Sequence, residues 1–258
     1  MCAGLNIMTR IIISGINGRM GKALEQMCEN SDEFEIVSGI DLNLGIPHTF
    51  PTVSSPDELD VKADAVIDFS HHSAANKLCT YAVKTGTPVV FSTTGYTDEE
   101  LELIKKTSES AAVFRSGNMS VGINLITELA KRAASVLSDF DAEIVEMHHN
   151  RKLDAPSGTA LMIADGIKSV RPDSEYVYDR TKERKKRGKN EIGIHSVRAG
   201  SIVGEHEVIF GGANEVIKIS HSALSREVFA SGALKAAAFL KGKKNGMYNM
   251  SDMLADII

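Results

Sequence analysis

Arg10-Ile11-Ile12-Ile13-Ser14-Gly15-Ile16-Asn17-Gly18-Arg19-Met20-Gly21 reads as a buried strand, a glycine turn and the opening of a helix. The β-branched run predicts a strand, and from Arg19 to Glu29 the residues Met20, Ala23, Leu24 and Met27 recur at helical spacing. Glycines in such a turn permit positive φ and let backbone N–H groups approach a pyrophosphate at the positive end of the following helix. The turn fits G-x-x-G-x-x-G. Asn17 stands where the commoner G-x-G-x-x-G pattern has its second glycine, a mild departure because Asn tolerates the left-handed conformation. A tight turn with no ligand is the plainer alternative, and the strand, the helix and the acid described next weigh against it.

Outward from this stretch, strands are expected at Glu35–Ile40, Ala63–Phe69 and Pro88–Phe91, with helices at about 74–85 and 98–110. Strands alternating with helices through short connections imply a parallel sheet with helices on both faces. Asp41 follows the second strand about 20 residues beyond the turn, where a carboxylate accepts hydrogen bonds from ribose hydroxyls and repels a 2′-phosphate. Leu42 supplies no cation to offset that repulsion, which favours NADH and leaves NADPH open. After Ala112-Val113-Phe114 the pattern changes: a long helix over Ile123–Leu137 precedes strands at Ala142–Met147, Ile192–Arg198, Val208–Phe210 and Glu215–Ser220. The fold class is therefore α/β, a Rossmann-type parallel sheet domain plus a second α+β domain with a mixed or antiparallel sheet. Residues 8–119 and 230–258 form the dinucleotide-binding domain, to which the Ala-rich helix Phe229–Leu240 returns the chain. Residues 120–229 form the second domain, and residues 1–7 are set aside as an extension.

The chain has 258 residues, 43% hydrophobic and 24% charged, with Lys plus Arg at 29 against Asp plus Glu at 34. A net charge of -5 offers no global positive field for nucleic acid or an anionic membrane, and 5% aromatics with no Trp leave few stacking platforms. Cys2, Cys28 and Cys79 are odd in number and widely spaced, which suits a reducing cytoplasm. No apolar run approaches the roughly 18 residues of a membrane span, and no export signal is visible. The basic run from Arg180 to Lys189 is read as a solvated loop without a function.

Glu146-Met147-His148-His149-Asn150-Arg151-Lys152-Leu153-Asp154-Ala155-Pro156-Ser157-Gly158-Thr159-Ala160 places a strand end, a basic loop and a helix start in succession. Pro156 and Ser157 carry helix-initiating chemistry, so N–H groups around Gly158 and Thr159 suit a carboxylate. Lys152 and the histidines hold titratable protons a few residues away, the equipment for protonating a small anionic substrate. Singly, each residue has an ordinary explanation. Adjacent strand histidines face opposite ways, one packed and one exposed, and that alternation argues against a shared metal.

The glycine turn, this segment and Ser196-Val197-Arg198-Ala199-Gly200-Ser201-Ile202-Val203-Gly204-Glu205-His206 resemble the 4-hydroxy-tetrahydrodipicolinate reductase family over nearly the whole chain from Met8 onward. The resemblance implies NAD(P)H-dependent reduction of a cyclic imine dicarboxylate with loss of water, in the diaminopimelate route to lysine. It implies that His148 donates or accepts a proton, that Lys152 donates one, and that His149, Gly158 and Thr159 bind substrate. Its cofactor contacts fall on Gly15, Ile16, Asn17, Gly18, Arg19 and Met20, on Asp41, on Ser92, Thr93 and Thr94, and on Ser116, Gly117, Asn118 and Met119. Many members have Gly at Ser92, an aromatic at Met119, and some have Arg at Leu42. A homotetramer assembled through the second domain's sheet is implied, with a small-molecule dicarboxylate as substrate and no nucleic acid, membrane or metal. A non-catalytic NADH sensor and an amino-acid dehydrogenase of the same fold are the alternatives; a sensor has no need of His148, Lys152 and the Gly158-Thr159 helix start together.

Overall fold

The structure is a computed structural model and describes residues 8–255, so the expected extension at 1–7, Cys2 and the last three residues lie outside the described residues. The elements begin β1 (Thr9–Ser14), α1 (Arg19–Glu29), β2 (Phe34–Ile40), β3 (Thr52–Val53), β4 (Ala65–Asp68), α2 (Ala75–Thr85) and β5 (Val89–Phe91). They continue with α3 (Asp98–Thr107), β6 (Ala112–Arg115), α4 (Val121–Val136), β7 (Asp141–His148), α5 (Gly158–Lys168), β8 (Glu175–Val177) and β9 (Glu191–Arg198). The chain closes with β10 (Gly204–Gly211), β11 (Val216–Ala223), α6 (Glu227–Leu240), β12 (Gly246–Tyr248) and α7 (Met250–Leu254).

Two compact units form, one of Ser120–Arg226 and the other of the described residues before and after it. The Ala-rich helix α6, expected from Phe229, starts at Glu227, so the chain leaves the second unit at Arg226. In the first unit every pairing is parallel and the order is β12-β6-β5-β4-β1-β2-β3. The chain winds one way from β1 to β2 and the other way to β4, which creates a crevice beyond the carboxyl ends of these strands. Ile11, Ile12 and Ile13 are wholly buried, as a strand covered on both faces requires.

The glycine turn follows β1 directly. Gly15 has φ +81°, and a Cβ there would lie 2.8 Å from the Phe69 carbonyl oxygen; one at Gly21 would lie 2.3 Å from the carbonyl oxygens of Gly15 and Ile16. Gly21 lets α1 lie directly against the turn, and Gly15 lets the turn lie against the backbone that follows β4. Asn17 makes no use of the left-handed conformation that Asn tolerates, because no residue other than glycine has positive φ among the described residues. It is accommodated by its side chain instead: Nδ2 donates to the Asn43 carbonyl at 2.6 Å, and Oδ1 meets His48 Nε2 at 2.9 Å. His48 is in turn 2.7 Å from Glu25 of α1, so Asn17 ties the turn to the loop after β2.

The second unit carries the five-stranded sheet β11-β10-β7-β9-β8, mixed because β10 runs antiparallel to β7 and β11 while β7, β8 and β9 run parallel. One face is covered by α4 and α5 through Ile123, Ile126, Ile163 and Ile167, which pack on Ile144, Ile194, Val208 and Phe210. The basic run after β8 is held more firmly than a solvated loop. Arg180 pairs with Glu143 and Glu191, and Arg187 with Glu143 and Asp141.

A Gly21→Ala substitution should destabilise the protein by at least about 2 kcal/mol, because the methyl group meets backbone rather than a movable side chain. Urea unfolding monitored by circular dichroism would show the lower midpoint. An unchanged midpoint would mean that α1 does not rest on the turn.

Candidate active site

Strand alternation and register build the polar centre of the second unit. On the helix-covered face, Ile194, Ile144, Val208 and Ile219 form an apolar row across β9, β7, β10 and β11. The next row in register is Ser196, Glu146, His206 and His221. Beyond it lie Arg198, His148, Gly204 and Ala223, at the end of β7. The sheet thus changes from apolar to polar over one pair of residues per strand.

Glu146 is 0% exposed, and its carboxylate accepts two hydrogen bonds on each oxygen. Arg198 grips both oxygens at 2.7 and 2.8 Å, His148 Nδ1 lies 2.5 Å from Oε2, and the Ser157 N–H donates to Oε1 at 3.1 Å. Burial alone would raise the Glu146 pKa, but the hydrogen bonds from Arg198, Ser196, His148 and Ser157 prevail and hold it at about 2. An ionised Glu146 requires a proton on His148 Nδ1, which leaves Nε2 as the working atom of a neutral ring. Burial lowers the His148 pKa below its ordinary value despite the opposing pull of Glu146. A Cβ at position 204 would lie 3.1 Å from Nε2, so Gly204 keeps that atom uncrowded.

The loop after β7 brings the other expected residues into the same unit. Lys152 Nζ is 2.9 Å from the half-exposed carboxylate of Asp154, and its backbone N–H donates to the His149 carbonyl at 3.1 Å. His149 is half-buried, and its Nδ1 is buried without a protein partner. Ser157 caps α5, its hydroxyl accepting from the Ala160 N–H at 3.2 Å, so Gly158 and Thr159 are the first two residues of the helix. The arrangement joins an ammonium group, an imidazole with a free ring nitrogen and a helix N-terminus on one frame.

All the expected cofactor residues except Ile16, which is wholly buried, and Asn17 line two clefts of the first unit, at the carboxyl edge of its sheet. Gly15, Gly18, Asp41 and Leu42 line a cleft of about 420 Å³. Arg19, Met20, Ser92–Thr94 and Ser116–Met119 line a second cleft of about 600 Å³, and Phe69, Ser70 and His71 border both. Both Asp41 oxygens accept backbone N–H groups, from Asn17 at 3.0 Å and Asn43 at 2.9 Å, which fixes the carboxylate at the cleft. Leu42 is 89% exposed beside it. The cleft lined by Gly15 and Gly18, together with the N-terminus of α1 that starts at Arg19, suits a dinucleotide pyrophosphate. Among the described residues no group of three or more His, Cys, Asp or Glu could hold a metal ion.

Several residues of these sites carry no role in the sequence reading. Glu146 and Arg198 are separated by 52 residues and meet only through the parallel register of β7 and β9. Alternation from His148 back to Glu146 places both on one face, a signal present in the quoted segment itself. In the first unit, Asp68 is wholly buried and accepts from Ser70 at 2.5 Å, Thr93 at 2.8 Å and Tyr96 at 3.2 Å. It thereby fixes two loops that border the larger cleft.

Residues 9–119 match the family model "Dihydrodipicolinate reductase, N-terminus", a nucleotide-binding Rossmann domain, and residues 122–254 match "Dihydrodipicolinate reductase, C-terminus". A 4-hydroxy-tetrahydrodipicolinate reductase of Caldanaerobacter subterraneus subsp. tengcongensis is 55% identical over 249 residues, covering 96% of this chain and 99% of that one. Its counterpart in Clostridium tetani is 49% identical over 250 residues, with 96% and 98% covered. Among solved structures, the dipicolinate-bound dihydrodipicolinate reductase from Paenisporosarcina sp. TG-14 aligns with a TM-score of 0.80 at 26% identity, over 98% of this chain and 100% of that one.

The charges of this centre define a pH response. Glu146, held at about 2, stabilises the fold fully above the ordinary carboxylate pKa and loses that contribution as pH falls towards 2. His206, lowered to about 4 by burial and then by neighbouring His148, adds a loss between 6.5 and 4, where the unfolded chain takes up the proton first. Glu146→Gln should cost about 3 kcal/mol at pH 7, because Arg198 is left without its partner, and should flatten the decline below pH 4.5. Thermal unfolding across this pH range checks both effects. A variant that melts with the wild type throughout would contradict the assignment.

Proposed function

The chain belongs to the dihydrodipicolinate reductase family, and we propose that it catalyses NAD(P)H-dependent reduction of 4-hydroxy-tetrahydrodipicolinate to tetrahydrodipicolinate with loss of water. The observation that carries this reading is the joining of Glu146-held His148, Lys152 and the Ser157-capped start of α5 in one unit. A reduced nicotinamide held in the first unit would supply a hydride to the dehydrated ring, leaving an enamine. The chain's own residues manage the protons and the carboxylates. Lys152, paired with Asp154, donates the proton that the resulting enamine takes up. His148, kept neutral by burial with Nε2 free of Glu146, is suited to accept and return a proton. Gly158 and Thr159 offer the positive end of α5 to one carboxylate, with His149 beside them.

For the cofactor, Gly15 to Met20 receive the pyrophosphate, Asp41 the adenosine ribose, and Ser92–Thr94 with Ser116–Met119 the remaining half. NADH is the favoured form, since the Asp41 carboxylate repels a 2′-phosphate and exposed Leu42 carries no charge. The protein works in the reducing cytoplasm as a homotetramer. The open face of the second unit's sheet, with Val145, Met147, Val197 and Ile209 amid charged residues, supplies the contact.

Assay with enzymatically generated substrate tests the reading. NADH should give kcat/KM at least equal to that with NADPH, and pyridine-2,6-dicarboxylate should inhibit competitively against the substrate. Lys152→Ala and His148→Gln should each lower kcat by about 10²–10⁴-fold while the NADH dissociation constant moves little. No turnover in the wild type would remove the proposed activity, and near-normal kcat in both variants would remove the proton roles.

A further inference from the structure

His206 occupies a position that an apolar residue would fill at less cost. It is 4% exposed, sits one register step from Val208 on β10, and uses only one of its two ring nitrogens among protein groups. Nδ1 is buried without a partner, and leaving a buried polar atom unpaired is unfavourable. The single polar contact of the ring is Nε2 to the Ser157 hydroxyl, at 3.2 Å. The bond stands in either tautomer: Nε2–H donates to the hydroxyl, or the hydroxyl donates to a bare Nε2.

Ser157 is where the elements of the site meet. Its N–H donates to Glu146, its hydroxyl accepts from Ala160 at the first turn of α5, and the same hydroxyl is hydrogen-bonded to His206 Nε2. The His206 ring also stands edge-on to His148, with centroids 5.3 Å apart and planes at 77°. We propose that His206 is a positioning residue for the dicarboxylate seat, fixing Ser157 and through it the start of α5 against Glu146 and His148. This rests on the reading that α5 receives a substrate carboxylate.

The charged and titratable groups facing His206 are Glu146 and His148 on β7, His221 on β11 and Lys152 in the following loop. Burial outweighs the attraction of Glu146, so the ring is neutral at and above neutral pH. Its influence on the reaction is therefore geometric, and the consequence of replacing it should not vary with pH between about 6 and 9.

The test uses the full-length protein and four variants: His206→Leu, His206→Gln, Ser157→Ala, and the double variant of His206→Leu with Ser157→Ala. Calorimetry measures pyridine-2,6-dicarboxylate and NADH binding, and steady-state kinetics separate KM from kcat. His206→Leu should weaken the dicarboxylate and raise the substrate KM by about tenfold or more, with kcat less affected and NADH binding within about twofold of wild type. His206→Gln, whose amide can still donate to Ser157, should recover most of the loss. Ser157→Ala should reproduce the loss, and the double variant should be no weaker than the weaker single one within about twofold.

Wild-type dicarboxylate affinity in His206→Leu, equal losses in the Leu and Gln variants, or losses that multiply in the double variant would each overturn the proposal. If His206→Leu does not fold, His206→Gln with and without Ser157→Ala decides it: the pair must bind as Ser157→Ala does. A wild type that neither turns over substrate nor binds the dicarboxylate would remove the functional reading and this inference together. A competent wild type with indifferent variants would remove the inference alone.

Discussion

A carboxylate with no exposure to solvent organises the second unit. Glu146 is ionised because Arg198 grips both its oxygens and because His148 and Ser157 supply the remaining donors. Such a group loses its hydration, and removing one partner would leave an uncompensated buried charge. That constraint couples three elements that are distant in sequence: β7, the end of β9, and the start of α5. The orientation of His148 and the origin of α5 therefore follow from one charge balance rather than from separate local preferences.

The first unit solves a different problem, the close approach of backbone to a large anion. Gly21 lets the turn and α1 come together without a side chain between them, Gly15 does the same for the turn and the backbone after β4, and Asn17 and Asp41 lock the adjacent loop by hydrogen bonds. Asp68 performs a related task, accepting from Ser70, Thr93 and Tyr96. Each site thus depends on a fixed carboxylate that is itself held by donors from more than one loop or strand. Rigidity of this kind suits chemistry in which a reacting group must be held in a narrow geometry.

Much of this was legible in the amino-acid order. The Arg10–Ser14 run and the periodicity of Arg19–Glu29 carry strong local signals, and the parallel sheet of the first unit follows them. The strands β3, β8 and β12 were not legible, since two or three residues are too few to show a period and their pairing depends on neighbours already in place. The His148 and Lys152 segment stood out by composition, whereas the roles of Arg198 and His206 depend on register between strands about 50 to 60 residues apart. Asn17 shows the limit in reverse. Its identity speaks only to backbone tolerance, whereas its side chain, reaching Asn43 and His48, is what the position uses.

The account turns on His148 being neutral, with its proton on Nδ1 towards Glu146 and its Nε2 lone pair presented at the end of β7. Nitrogen-15 NMR of the histidine side chains, followed through a pH titration of the wild-type protein, measures this directly. We expect a His148 signal with a protonated Nδ1 and an unprotonated Nε2 at neutral pH, titrating below the ordinary 6.5 of a free histidine. An Nε2-protonated ring at neutral pH, or a midpoint above 6.5, would contradict the account.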